Sequence, residues 1–103
     1  MRVLIIGYGS IGQRHYKILS SLKKIKDIKI ITSLNLPKTK KINLKKSEIL
    51  TFNPDYILIC SETSKHFRQL RFINNLLKDK LILVEKPLFN FYQKIGKVNN
   101  KIF

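Results

Sequence analysis

The sequence predicts an α/β domain built on a parallel sheet with helices on both faces. Three observations carry that prediction. Short, unbroken aliphatic runs recur along the 103 residues, the continuous pattern of strands buried on both faces. Segments with helical spacing of apolar residues lie between them, so strand and helix alternate. The first run also passes straight into Gly7-Tyr8-Gly9-Ser10-Ile11-Gly12, a glycine-rich turn between strand and helix.

Arg2–Ile6 reads as the first strand, with four consecutive aliphatics bounded by glycine. From Ile11 the apolar residues Ile11, Ile18, Leu19 and Leu22 mark one stripe of a helix that ends in Lys23-Lys24. Ile28–Thr32 is the second strand, broken by Asn35-Leu36-Pro37. The stretch to Lys46 is polar and loop-like, with a short strand suggested near Lys41–Asn43. Ser47–Phe52 fits a brief helix stopped by Asn53-Pro54.

Tyr56–Cys60 is the next strand. Ser61-Glu62-Thr63-Ser64 offers capping side chains to a helix whose apolar residues are Phe67, Leu70, Ile73 and Leu77. Asp79 breaks that helix, and Leu81–Val84 is a further buried strand running into Glu85-Lys86-Pro87. A helix over Phe91–Val98 and a turn at Asn99-Asn100 follow. Lys101-Ile102-Phe103 has the look of a strand beginning. One domain over residues 1–103 is expected, incomplete at its carboxyl end.

A hydrophobic content of 44% argues for a folded globular protein. No apolar stretch approaches the ~18–20 residues that span a bilayer, and no cleavable signal pattern opens the chain. The sequence therefore reads as cytoplasmic, with no membrane partner. Cys60 is the single cysteine and fits a small buried hydrophobe better than a nucleophile. No clustering of residues suggests a metal site. The formal charge of +15 is spread along the chain, apart from Lys38-Thr39-Lys40-Lys41 and Lys45-Lys46. With no nucleic-acid-binding motif beside it, this charge implies a basic surface that favours anionic ligands, not a nucleic-acid partner.

In the glycine turn, Gly7 permits the tight bend, Gly9 lets the backbone approach a pyrophosphate, and Gly12 lets helix and strand pack closely. With Tyr8, Ser10 and Ile11 these residues form a dinucleotide-binding turn, whose free N–H groups face the phosphates. The fold is accordingly expected to be a Rossmann-like doubly wound parallel sheet. An NAD site usually places Asp or Glu ~20 residues past the glycines. Here that position falls at Thr32-Ser33, with Lys38, Lys40 and Lys41 downstream. Hydroxyls and ammonium groups suit a 2′-phosphate, so NADP is favoured slightly over NAD. The alternative is that these lysines only coat a loop.

With Glu85-Lys86-Pro87 in view, the chain resembles the amino-terminal domain of the Gfo/Idh/MocA oxidoreductases, the glucose–fructose oxidoreductase and inositol dehydrogenase group. The glycine turn, the Asn53-Pro54-Asp55-Tyr56 lead into a strand, His66 early in the next helix, and the E-K-P tripeptide occur in that family's order. The resemblance implies a catalytic role for Lys86, near the nicotinamide and the substrate hydroxyl. It implies that Glu85 positions this turn and that Pro87 shapes it. It places Ser61, Glu62 and Thr63 beside the cofactor ribose, although the proline usual in that loop is absent. His66 either touches the cofactor or packs the helix start. His15 is expected to be structural, and Arg14 a solvated helix residue.

Family members continue into a second α/β domain that forms the substrate pocket and often a dimer face. A homo-oligomer is thus the form expected of a full-length member. The resemblance implies the nucleotide-binding part of an NAD(P)-dependent oxidoreductase acting on a sugar, cyclitol or sugar derivative. The alternative is a dinucleotide-binding remnant without turnover.

Overall fold

The structure is a computed structural model that describes residues 1–85 and 98–103. The helix expected over Phe91–Val98 therefore lies almost wholly outside the described residues. Five parallel strands form one sheet: β1 (Arg2–Ile6), β2 (Asp27–Ile31), β3 (Tyr56–Ile59), β4 (Leu81–Val84) and β5 (Lys101–Ile102). Their order is β2-β1-β3-β4-β5. Three helices are described between them: α1 (Ser10–Ser20), α2 (Lys46–Phe52) and α3 (Thr63–Leu76).

The strands form where the aliphatic runs predict them, because only a sheet covered on both faces can bury every residue of such a run. Val3 and Ile5 point to one face with Ile28, Ile30 and Leu58, packed by Tyr16 and Leu19 of α1. Leu4 and Ile6 point to the other, with Ile49 of α2 and Leu70 and Ile73 of α3. Register is in step across the centre: Ile5 pairs with Ile30 and with Leu58, and Leu58 with Leu83. The short strand suggested near Lys41–Asn43 is a single bridge from Lys41 to Ile30 on the outer edge of β2. It is held by Ile30 N–H to the Lys40 carbonyl (2.8 Å) and Ile42 N–H to the Ile30 carbonyl (3.0 Å).

The first helix departs from its sequence reading. Ile11, Ile18 and Leu22 are 44%, 54% and 49% exposed, so three of the four residues of the predicted stripe face outward and only Leu19 packs on the core. The face against the sheet is Gly12, His15, Tyr16 and Leu19 instead. Gly12 decides this. Its α-carbon packs so closely on the strand end that a Cβ there would lie 2.3 Å from the Gly7 carbonyl oxygen. With Gly12 turned inward, residues three, four and seven positions on must follow it. The helix also stops at Ser20, short of Lys23-Lys24. The Ser20 and Ser21 hydroxyls take the Lys17 and Ile18 carbonyls.

Local chemistry ends the other elements. Asn53 adopts a left-handed conformation (φ 52°) and closes α2. Asp55 accepts a hydrogen bond from the Arg2 N–H (2.9 Å) and aligns the starts of β1 and β3. Ser61–Ser64 is expected to cap α3; the N-cap position falls to Glu62, whose side chain makes no capping bond. The far end of α3 is clamped by a residue predicted only to turn. The Asn100 amide donates to the carbonyls of Leu77 (2.8 Å) and Asn74 (3.4 Å), while its oxygen accepts the Lys80 N–H (2.8 Å).

Asn100→Ala removes the side-chain donor to the Leu77 carbonyl and the acceptor of the Lys80 N–H, while the Asn74 carbonyl keeps the Asn99 amide (3.2 Å). A loss of about 1–3 kcal/mol is expected in urea unfolding of the chain.

Candidate functional site

An open cleft of about 570 Å³ lies at the carboxyl ends of β1, β2 and β3. It sits where α1 leaves β1 on one face of the sheet and α3 leaves β3 on the other, the switch point at which such sheets bind ligands. One wall is the turn from Gly7 to Ile11, the second is Thr32 to Leu34, and the third is Cys60 to Glu62 with Lys65 and Gln69 of α3.

The three glycines of the turn answer three different demands. Gly7 has φ +95°, and a Cβ there would lie 2.6 Å from the Ser61 nitrogen. It is glycine for backbone conformation and for close approach. Gly12 is glycine because a helix lies against a strand end. Gly9 satisfies neither condition. Its backbone is extended (φ −76°, ψ −163°), and a Cβ would meet nothing within 4 Å. The space above Gly9 is therefore kept clear by something other than the protein's own packing.

Above that space the first turn of α1 presents N–H groups that have no acceptor within the helix. Gly9 supplies no capping side chain, and the first turn contains no acidic residue. Positive potential is thus left open toward the cleft. Tyr8 packs edge-on against Tyr16 at 5.9 Å, and its carbonyl accepts from the Gln13 amide (3.1 Å). These contacts hold the turn from outside.

At the second wall, the Thr32 hydroxyl accepts the Leu34 N–H (3.1 Å), forming a small turn beside Ser33. Lys41 Nζ donates to the Leu34 carbonyl (2.9 Å), which brings an ammonium to this turn. Lys40 instead stands over the Tyr16 ring, 5.5 Å from its centre. Of the lysines predicted to serve this wall, Lys41 is the one the bridge to β2 delivers.

The third wall is braced from α3. The Ser61 hydroxyl donates to Gln69 Oε1, and the Ser61 carbonyl accepts from His66 Nε2 (2.6 Å). His66 is 1% exposed and lies behind the loop, not on the cleft. Its Nδ1 has no partner among the described residues. Glu62 reaches the cleft and Thr63 begins α3. Lys65, Gln69 and Leu34 also line the cleft but were missed in the sequence. Lys65 and Gln69 are one helical turn apart, a spacing that would have identified them once either was placed.

Cys60 lines the cleft but is not activated. Burial, and then the Glu85 carboxylate nearby, push its thiol up to about 12. Burial likewise raises the Tyr56 phenol. Glu85 lies at the end of β4, its N–H donating to the Ile59 carbonyl (2.9 Å). Its carboxylate accepts from His15 Nε2 at 3.2 Å. Lys86 and Pro87 lie outside the described residues. Among the described residues no three His, Cys, Asp or Glu side chains converge as metal ligands, and no helix is long and apolar enough to cross a membrane.

A family model described as an oxidoreductase family with an NAD-binding Rossmann fold, Gfo/Idh/MocA, matches residues 1–100. No curated protein matches the chain significantly. In structure the chain is similar to dipicolinate-bound dihydrodipicolinate reductase from Paenisporosarcina sp. TG-14, with TM-score 0.72, 15% identity, and coverage of 88% of this chain and 39% of that one. It is similar to a Gfo/Idh/MocA family oxidoreductase from Vibrio cholerae (TM-score 0.69, 21% identity, 86% of this chain and 30% of that one). An engineered D-amino acid dehydrogenase bound to NADP+ shares the fold at TM-score 0.63 and 16% identity, over 82% of this chain and 26% of that one. The chain spans well under half the length of each.

The glycine geometry predicts a clear split in stability. Gly12→Ala and Gly7→Ala should each lower stability by at least about 2 kcal/mol, through overpacking and strain. Gly9→Ala should stay within about 0.5 kcal/mol of wild type. Urea unfolding of the three variants checks this.

Proposed function

The chain belongs to the Gfo/Idh/MocA oxidoreductase family, and from that premise we propose that it holds NADP or NAD for hydride transfer to or from a sugar, cyclitol or sugar derivative. The observation that carries the reading is Gly9, a glycine that neither backbone conformation nor protein packing requires. A backbone kept bare beside the N-terminus of α1 suits a pyrophosphate that must approach the peptide itself.

When bound, the cofactor supplies or accepts the hydride at its nicotinamide. The chain's own residues bind and orient it. The first-turn N–H groups of α1 face the phosphates. Thr32 and Ser33, with the ammonium of Lys41 beside them, form the wall for the adenosine ribose. No carboxylate stands there to take the ribose hydroxyls, and Lys41 offers charge to a 2′-phosphate, so NADP is the favoured form. Ser61 and Glu62, followed by Thr63 at the start of α3, form the wall toward the second ribose. His66 acts by holding the Ser61 carbonyl in place.

Lys86 follows Glu85 directly in the sequence. By family resemblance its ammonium would donate a proton to, or accept one from, the substrate oxygen as the hydride moves. Glu85 and Pro87 set the turn that carries it. Substrate binding requires protein beyond this domain, in keeping with the 26–39% of the similar chains that it spans.

Two titrations followed by nicotinamide fluorescence test this reading. Gly9→Val is expected to abolish NADPH binding while its urea midpoint stays near that of wild type. Unchanged affinity would refute the pyrophosphate assignment. Lys41→Ala is expected to weaken NADPH by about tenfold, the effect of one lost charge-assisted bond, and to leave NADH unchanged. Equal losses for the two cofactors would assign Lys41 to the turn alone.

A further inference from the structure

We propose that His15 is a positioning residue: held to the Glu85 carboxylate, it latches the phosphate-binding helix to the end of β4 and couples dinucleotide binding to that strand end. The proposal rests on the dinucleotide reading above.

The two residues are 70 apart in sequence, and β3 separates β4 from β1. Neighbouring strands lie about 4.8 Å apart, so Glu85 must reach back across the end of β3 to meet α1. Its backbone N–H is fixed on the Ile59 carbonyl (2.9 Å), and its side chain makes the crossing. His15 is three residues past Gly12, on the inward face of α1. Each side chain of the pair is 27% exposed. Gly12 already anchors α1 to Gly7 and Cys60, at the ends of β1 and β3. The His15–Glu85 bond extends that anchorage to β4.

Chemistry gives the latch a direction. From β3, the Cys60 thiol and the Tyr56 phenol feel the Glu85 charge, and both are held in their neutral forms. Among the described residues, His15 is the basic group that the carboxylate meets. Phosphates are met by the N-terminus of α1, and the His15–Glu85 bond ties that same helix to the end of β4. By reciprocity, a closed latch favours the phosphates. Lys86 is the next residue after Glu85, so the coupling leads toward the group proposed to act on substrate.

The test uses the 103-residue chain with NADPH as ligand, titrated by nicotinamide fluorescence. His15→Ala should weaken binding by about tenfold, within the range of coupling between sites. His15→Gln, whose amide still donates to Glu85, should restore affinity to within about twofold. The His15→Ala/Glu85→Ala double variant should bind no more weakly than His15→Ala alone.

Additive losses in the double variant, or no rescue by glutamine, would overturn the latch while Gly9→Val still abolished binding. A wild-type chain that binds no NADPH would defeat the dinucleotide reading and the coupling together.

Discussion

The structure depends on one close approach, that of Gly12 in the first turn of α1 to the Gly7 carbonyl at the end of β1. A methyl group at Gly12 would stand 2.3 Å from that oxygen, so helix and strand can meet there only without a side chain. The contact fixes how far the helix lies from the sheet, and it also fixes the rotation of the helix about its own axis. His15, Tyr16 and Leu19 turn inward as a result, and the N-terminus of the helix is aimed into the cleft. The exposed stripe of Ile11, Ile18 and Leu22 is the other consequence. These residues cannot also face the sheet once Gly12 does.

The cleft has walls built by different means. The first is backbone, held by glycine geometry. The second is a hydroxyl turn at Thr32, reached by an ammonium that arrives through the bridge from Lys41 to β2. The third is the Ser61 loop, braced by two buried polar side chains of α3: Gln69 accepts from the Ser61 hydroxyl and His66 donates to the Ser61 carbonyl. Buried polar groups need partners, and here their partnering keeps the loop close to Gly7. With no acid in the first turn of α1 and a strongly basic chain, the site is prepared for an anion.

The strands were legible in the sequence because continuous aliphatic runs have few other stable fates than a doubly covered sheet. Their bounds agree to within about a residue, and the glycine turn falls where its spacing places it. The helix faces were less legible. Counting apolar residues in α1 selects Ile11 and Ile18, since hydrophobicity carries no record of a glycine's packing demand. At the start of α3 the N-cap position falls to Glu62, while the Ser61 hydroxyl is taken by Gln69, eight residues on. Asn100 reads as a turn residue, yet it closes α3 from a distance of 23 to 26 residues along the chain.

By itself the sequence determined the parallel α/β class, the strand–turn–helix with its three glycines, and the lack of a carboxylate at Thr32-Ser33. Each of these is local, set by residue type and spacing over a dozen residues or fewer. The tertiary structure alone decided which glycine leaves open space beside it and which lysine reaches the Thr32–Leu34 turn. It also set His66 behind the loop and His15 against Glu85. Those outcomes join residues far apart in the chain, and they follow from strand order and from the rotation of a helix that one glycine contact imposes.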